Sequence, residues 1–449
     1  MGLFDRFSKT KRSRMIVLGL DGMPYSFLMK ETGKRTMPNL TEILEKGSVR
    51  PMNSTIPPIS SVAWATFQTG RNPAAHNIFG FVDRNPGTMS LFIPTAKNMK
   101  SPTLWEQLSN AGKRVVVANV PVTFPPKEVN GILVGCFLST ELEKAVYPLS
   151  FLPTLKQLDY RIDVDAWEAH SDLDKFLASL YEVLDRRFRA LNYFYEKTEW
   201  DFLMVHIMET DRLYHFYWEY YENPDSPRHK EFIDFHKRLD QYLGEFLRKV
   251  REDDDVILLS DHGFCTLKKE VNLNVYLRDK GLLQLREGNK GLETIDSSSK
   301  AYSLIPGRVF VNLKGREAHG TVEPGKNYED VREEVIQALQ ELKEPETGTP
   351  VFESVYRREE IYRGPYIEQA ADVIGLPRDG YDVKGGFKMG DLWTRDKFVG
   401  THTYLDAFVY VKGEEIKLER TNLVDLVPTI LNRLGVMIPP EMEGKNLLS

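Results

Sequence analysis

The sequence predicts an α/β protein with a doubly wound, mostly parallel sheet flanked by helices. Five short apolar runs have the length of buried strands, and they lie at 15–20, 114–120, 131–137, 202–207 and 256–260. Helical patterns separate them, the longest at 173–195 and 231–251. Strands that are apolar on both faces are typical of parallel sheets covered on either side by helices. Such strands alternating with helices define the class.

Length and composition restrict the kinds of protein that this chain can be. Its 449 residues, 41% of them hydrophobic, suit one large domain with insertions or two domains. A net charge of -6 gives no general case for nucleic-acid binding, so an anionic ligand needs a local cationic site such as metal ions. The two cysteines, Cys136 and Cys265, cannot form a disulfide framework and favour a reducing compartment. We therefore expect a cytoplasmic protein.

The first fourteen residues form a basic segment that we expect to be a tail, followed by one domain at 15–449. The segment carries five basic residues against one acid, with Leu3, Phe4 and Phe7 as its apolar members. No apolar region follows it, so it does not have the pattern of a secretory signal, and no window of about 18 apolar residues suggests a membrane span. Two interpretations stay open: weak peripheral contact with a membrane surface, or a frayed tail.

Acidic and histidine residues follow the predicted strands. In open α/β sheets, ligands bind beyond the carboxyl ends of the strands, so these positions are the first to consider for function. Three aspartates and three histidines in this setting supply oxygen and nitrogen ligands for two divalent metals. They are Asp21, Asp211, His215, Asp261, His262 and His402. If the segment after 202–207 is helical, Asp211 and His215 share one face, since they are four residues apart.

A serine in the stretch 55–81 is a candidate nucleophile. Ser60 and Ser61 follow the turn at Pro57-Pro58 and precede a helical pattern that ends at Thr69-Gly70. The N-terminus of a helix favours a developing negative charge, because its free N–H groups and its dipole point there. The residues alone leave open the commoner role of such a serine, which is to cap the helix.

The remaining chain predicts an inserted segment and a closing helix. Between 264 and 400 the pattern becomes less regular, and we expect 272 to about 365 to form an insertion or lid over the site. It cannot be an independent tail domain, because candidate ligands lie on both sides of it. The last helix, at 423–434, contains Pro428 and therefore requires a kink or a late start. Nothing in the sequence sets the oligomeric state.

Six short motifs occur in the order found in one known family. They read GLDG at 19–22, PPISSVAW at 57–64, TGRNPAAHNIFGF at 69–81, TDRLYH at 210–215, SDHGF at 260–264 and GTHT at 400–403. The chain thus resembles the type I phosphodiesterase/nucleotide pyrophosphatase branch of the alkaline phosphatase superfamily. The segment at 424–436 also resembles the closing helix of that superfamily.

The resemblance implies a role for each candidate residue. It groups Asp211, His215 and His402 around one metal, and Asp21, Asp261 and His262 around the other. It makes Ser60 the nucleophile facing the second metal, nine residues before Thr69, with Ser61 as the alternative. It favours Zn²⁺ over Mn²⁺ and implies hydrolysis of phosphodiester or phosphoanhydride bonds through a covalent phosphoseryl intermediate. The expected substrate is a small phosphodiester or a nucleotide.

Two other functions remain in view. A phosphomonoesterase or cofactor-independent phosphoglycerate mutase of the same superfamily needs extra cations, which the predicted insertion offers in Arg308, Arg316, Arg357 and Arg358. A non-catalytic metal-dependent binding protein is the alternative of another class. Near Ser60 only Arg71 is cationic, whereas four aromatic residues are expected to contact the second organic group of a diester, and this balance favours the diester. They are Trp64, Phe67, Phe79 and Phe81.

Overall fold

A nine-stranded sheet forms the centre of the fold in the computed structural model, which describes residues 14–286, 291–388 and 390–449. The strands of the first part of the chain are β1 Met15–Leu20, β2 Gly47–Asn53, β3 Asp83–Asn85, β4 Ser90–Phe92, β5 Val115–Ala118, β6 Gly131–Val134, β7 Val146–Tyr147, β8 Phe202–Ile207, β9 Asp255–Leu259 and β10 Gly263–Thr266. A second set contains β11 Lys269–Asn272, β12 Ala301–Leu304, β13 Arg308–Val311, β14 Phe352–Arg357, β15 Val373–Pro377, β16 Tyr381–Lys384 and β17 Trp393–Thr394. The last strands are β18 Gly400–Thr403, β19 Ala407–Lys412 and β20 Thr421–Asn422.

Five parallel strands occupy the middle of this sheet. The full order is β20-β2-β19-β9-β1-β8-β5-β6-β7, and β9, β1, β8, β5 and β6 run in one direction. Strand β19 lies antiparallel between β9 and β2, and β7 pairs antiparallel with β6. The carboxyl ends of β8, β1 and β9 are therefore neighbours at one edge of the sheet.

Helices cover both faces of the sheet. They are α1 Tyr25–Gly33, α2 Pro38–Leu44, α3 Ser60–Thr69, α4 Pro73–His76, α5 Leu104–Asn110, α6 Leu152–Gln157, α7 Leu173–Lys197, α8 Glu209–Glu222, α9 His229–Leu247, α10 Leu273–Asp279, α11 Lys326–Glu341, α12 Arg358–Ile361 and α13 Leu426–Arg433. Alternate residues of β1 point to opposite faces: Ile16 and Leu18 join one hydrophobic core, whereas Met15 and Val17 join another. The predicted fold class is confirmed.

A four-stranded sheet and a three-stranded sheet are formed by the part of the chain between β9 and β19. The four-stranded one has the order β12-β13-β15-β14 and packs with α11 around its own hydrophobic core, and the other has the order β16-β11-β17. The limits of 272 to about 365 for an inserted lid stay a prediction.

Several predicted elements have different ends in the structure. The strand expected at 131–137 ends at Val134. The closing helix starts late, at Leu426, so Pro428 lies in its first turn where no N–H partner is required.

Residues 1–13 of the predicted basic tail lie outside the described residues. Arg14 is described, and it forms an ion pair of 2.6 Å with Asp254. Among the described residues, none of the helices combines the length and hydropathy that crossing a bilayer requires.

Candidate active site

The predicted site residues meet at the carboxyl edge of the central parallel strands. Asp21 follows β1, Asp261 follows β9, and Asp211 lies in the first turn of α8, which follows β8. His402 belongs to β18, which pairs antiparallel with β10 and so returns to the same edge from far along the chain. The structure brings together all six residues that were expected as ligands.

Asp211, His215 and His402 form the first of two groups. Because α8 is helical there, Asp211 and His215 lie on one face, with Nε2 of His215 3.4 Å from Oδ1 of Asp211. The Nε2 atom of His402 lies 3.2 Å from the same oxygen and 3.1 Å from Nε2 of His215. Three potential ligand atoms thus converge on one point.

Asp21, Asp261 and His262 form the second group, and all three are buried. The Nε2 atom of His262 lies 3.5 Å from Oδ1 of Asp21 and 3.3 Å from Oδ2 of Asp261. Ser60 begins α3, and its Oγ lies 3.2 Å from Nε2 of His262 and 3.4 Å from Oδ1 of Asp21. Ser61 is 7% exposed, and no hydrogen-bond partner for its Oγ is found among the described residues. Of the two serines, Ser60 is therefore the one in contact with the ligand groups.

Backbone carbonyls orient the three imidazole rings. Nδ1 of His262 lies 3.1 Å from the carbonyl oxygen of Gly263, and Nδ1 of His402 lies 3.0 Å from that of Pro58. Nδ1 of His215 lies 3.3 Å from the carbonyl oxygen of Gly400. A carbonyl only accepts, so each Nδ1 carries the proton and donates it, which leaves the Nε2 lone pair facing the site. This is the arrangement of a histidine that ligates a metal through Nε2.

Two buried side chains, neither of which was expected in this role, form hydrogen bonds with Asp21. Nε2 of His206 lies 2.6 Å from Oδ2 of Asp21, and Nε1 of Trp64 donates to the same oxygen at 3.0 Å. Oδ1 is thereby left to face Ser60 and His262. A histidine within the otherwise apolar strand run 202–207 was the one sequence signal for this role.

The buried carboxylates of the site are not fully compensated by hydrogen bonds or positive charges of the protein itself. Burial, and then the charge of Asp21, raise the pKa of Asp261 well above its ordinary value. Oδ1 of Asp211 and Oδ2 of Asp261 are buried without a hydrogen-bond partner. A divalent cation in each group would satisfy these oxygens and the facing Nε2 lone pairs, so the donor set fits metal ions.

The four arginines of the predicted insertion are committed to other partners. Nη2 of Arg316 pairs with Oδ2 of Asp372 at 2.6 Å, and the Nη1 of Arg358 lies 3.4 Å from Oδ1 of the same aspartate. Arg357 forms ion pairs with Glu329 and Glu333 of α11. Arg308 is 1% exposed and donates to the carbonyl oxygens of Val82 and Ile305. None of these contacts of the four arginines involves a residue of the two ligand groups.

The expectation about aromatic contacts near Ser60 was wrong for three residues. Trp64, Phe67 and Phe79 are at most 1% exposed and fill hydrophobic cores, so a substrate cannot reach them. Phe81 is 37% exposed and stacks on Phe137. The nearby cation Arg71 donates to the carbonyl oxygen of Glu441 instead of reaching Ser60.

Comparison with known proteins identifies the family. The family model for type I phosphodiesterase/nucleotide pyrophosphatase matches residues 15–405. The chain belongs to this family. It is therefore a hydrolase that acts on phosphoester bonds. No curated protein sequence matches the chain significantly.

Solved structures of low sequence identity share the fold. One is phosphonoacetate hydrolase from Sinorhizobium meliloti 1021 in complex with phosphonoformate, with a TM-score of 0.65, 18% identity, and coverage of 95% of this chain and 96% of that one. Another is an inactive variant of murine ectonucleotide pyrophosphatase/phosphodiesterase 5 in complex with AMP, with a TM-score of 0.59 and 16% identity over 97% of this chain and 100% of that one. The human form of that protein has a TM-score of 0.57 and 15% identity, covering 96% of this chain and 97% of that one. These likenesses agree with the expected alkaline phosphatase-like fold.

Proposed function

We propose that this family member hydrolyses small phosphodiesters at a two-metal centre, with Ser60 as the nucleophile. The observation that carries the proposal is the contact of Ser60 Oγ with one of two adjacent groups of buried carboxylate and imidazole ligands. Asp21, Asp261 and His262 would hold the metal ion next to Ser60. Asp211, His215 and His402 would hold the other.

The ligand types permit Zn²⁺ or Mn²⁺, since both accept mixed oxygen and nitrogen donors, and the family resemblance favours Zn²⁺. Divalent ions bound there supply positive charge that lowers the pKa of a hydroxyl and neutralises phosphoryl oxygens. The backbone N–H groups at the start of α3 add to this, because a helix N-terminus favours negative charge on Ser60.

The reaction then proceeds in two displacements. The hydroxyl proton of Ser60 passes to solvent, Ser60 Oγ attacks phosphorus, a new P–O bond forms to the serine, and the bond to the leaving oxygen breaks on the opposite side. The leaving oxygen departs as an alcohol once it has gained a proton. Water next attacks the phosphoseryl group, which regenerates Ser60 and releases the phosphate product.

The charge of the site supports a diester in preference to a monoester. Three carboxylates against two divalent ions leave one positive charge, which matches the single negative charge of a diester. A monoester dianion gains most from a further cation. Arg212 comes within 3.6 Å of Oδ2 of Asp211, but its guanidinium pairs with Asp163 at 2.7 Å. The four insertion arginines also have other partners, which weakens the phosphatase and mutase alternatives.

Removal and replacement of metal tests the proposal. Chelated and dialysed protein should not hydrolyse bis-p-nitrophenyl phosphate, and titration with Zn²⁺ or Mn²⁺ should restore turnover as about two ions bind per chain. Full activity of metal-free protein would contradict the proposal. Protein that binds two ions yet hydrolyses no phosphoester would support the non-catalytic binding protein instead.

A further inference from the structure

A small cavity opens beside the first ligand group. Its volume is about 110 Å³, and His215 and His402 form one of its walls. Pro58, Ile59 and Pro306 supply apolar surface, since none of them carries a polar side-chain atom. The remaining wall includes two tyrosines, Tyr381 and Tyr404, and the carboxylate of Asp382.

We propose that this cavity receives the leaving alcohol and selects alcohols without negative charge, a cationic alcohol best of all. The inference rests on the proposed function. An in-line displacement puts the leaving oxygen opposite the attacking one. Ser60 contacts the group of Asp21 and His262, so the leaving oxygen emerges toward the group that contains His215 and His402. The organic part of the leaving group therefore enters the cavity that these two histidines border.

Outside the proposed metal centre, whose net charge a bound diester balances, the charge around the cavity is negative. Asp382 is its one acidic lining residue, and among the described residues that line it there is no lysine or arginine. The Nζ of Lys384 lies 2.5 Å from Oδ2 of Asp382 and 3.2 Å from Oε1 of Glu270. Two carboxylates against one ammonium give this trio a net charge of one negative. Asp382 and Lys384 are 25% and 29% exposed, so water screens part of their interaction with a charge on the leaving group.

One hydroxyl donor of the cavity wall is already engaged. Tyr381 donates its hydroxyl proton to Oε2 of Glu344 at 3.2 Å, so this donor is already used. Tyr381 and Tyr404 line the cavity, and aromatic rings can attract cations through their quadrupoles. A larger space of about 430 Å³ shares these two tyrosines, and its charged lining residues are two acids and two bases, so it adds no net charge. The negative trio therefore determines the electrostatic preference.

The charge near the cavity distinguishes phosphodiesters from phosphoanhydrides, the two bond types that the family name covers. Cleavage of a nucleoside triphosphate at its first phosphorus releases pyrophosphate, a leaving group with several negative charges. The cavity disfavours such a group. The structure therefore points to phosphodiesters with neutral or cationic alcohols as better substrates than phosphoanhydrides.

The test uses three diesters whose leaving phenols have side chains of similar length and different charge. They are the methyl phosphate esters of 4-(2-aminoethyl)phenol, 4-ethylphenol and 3-(4-hydroxyphenyl)propionic acid. Each phenol has a pKa near 10 and leaves in preference to methanol. With metal-saturated protein, kcat/KM should fall in the order ammonium, neutral, carboxylate, with at least tenfold between the first and the last.

Asp382→Asn identifies the source of the preference. This variant should reduce the ratio of kcat/KM for the ammonium ester to kcat/KM for the carboxylate ester at least threefold. Asp330→Asn is the matched control, because it removes an exposed carboxylate on α11 that pairs with Lys326, and it should leave the ratio unchanged. Equal rates for the three esters, or a faster carboxylate ester, would overturn the inference while the proposed function stands. No turnover of any of the three would overturn both.

Discussion

Replacing Asp261 with asparagine should change the stability of the protein in opposite directions with and without divalent metal. Asp261 is fully buried, its Oδ2 has no hydrogen-bond partner, and Oδ1 accepts from the N–H of Gly22 at 3.1 Å. In Asp261→Asn, the amide oxygen can keep the bond from Gly22. The new amide group replaces Oδ2, which lies 3.3 Å from Nε2 of His262, and can donate to that lone pair.

The magnitude follows from these contacts. Without metal, the substitution replaces a carboxyl group whose ionisation is opposed by burial and by Asp21, and it satisfies a buried polar atom, so the free energy of unfolding should rise by about 1–2 kcal/mol. With metal, the loss of an anionic ligand should weaken binding at least about 100-fold, which removes about 2.7 kcal/mol of metal-dependent stabilisation. The variant should therefore be the more stable protein in chelator and the less stable one in saturating Zn²⁺.

Urea unfolding measures both effects, with midpoints compared in excess chelator and in saturating Zn²⁺. Asp372→Asn is the matched control. Asp372 is equally buried, but it accepts from Arg316 at 2.6 Å, Tyr328 at 2.7 Å and the N–H of Val311 at 2.7 Å. Its substitution should destabilise the protein by about 3–5 kcal/mol in both conditions. If Asp261→Asn behaved like this control, or if Zn²⁺ stabilised it as much as wild type, the ligand assignment would be refuted.

The remaining predictions concern the nucleophile, acid stability and the basic tail. Ser60→Ala should abolish the covalent phospho-intermediate while Ser61→Ala keeps a measurable rate; intact mass measured after acid quenching decides between them, and label on Ser61 would reverse the assignment. Burial lowers the pKa of His76 from 6.5 to about 3, so its contribution to stability is complete above pH 6.5 and is lost as pH falls toward 3. Unfolding free energy of wild type should then fall faster than that of His76→Gln, by up to about 1.4 kcal/mol per pH unit, and parallel curves would contradict this. Residues 1–14 should add weak affinity for anionic vesicles, at most about 1 kcal/mol per net charge, without changing catalysis; equal co-sedimentation of the full chain and residues 15–449 would discard the membrane contact.

The central strands could be predicted because burial on both faces leaves an apolar signal in the chain itself. The expected runs at 15–20 and 202–207 agree with β1 and β8 at both ends, and β9 is shifted by one residue. Strand β2 was missed, because its sequence GSVRPMN is only partly buried and contains Pro51. Its position depends on antiparallel pairing with β19, more than 350 residues away in the chain. Local patterns carry no information about such pairing.

In the candidate site, too, some residues could be predicted from the sequence and some contacts could not. Asp21, Asp211 and Asp261 could be predicted as a set because each follows a buried parallel strand, and such strands end at one edge. His402 lies on β18, and its approach to His215 depends on the pairing of β18 with β10. The support of Asp21 by His206 and Trp64 depends on the register of β1 and β8 and on the packing of α3. Residue spacing cannot predict these contacts between distant segments.

The most direct test of the account is the relative kcat/KM for bis-p-nitrophenyl phosphate and p-nitrophenyl phosphate, measured at matched pH with saturating metal. The account predicts a preference for the diester, because two divalent ions against three carboxylates balance a single substrate charge and the insertion arginines have other partners. A preference of tenfold or more for the monoester, about 1.4 kcal/mol of differential transition-state stabilisation, would contradict it and assign the protein to the phosphatase or mutase branch of the superfamily.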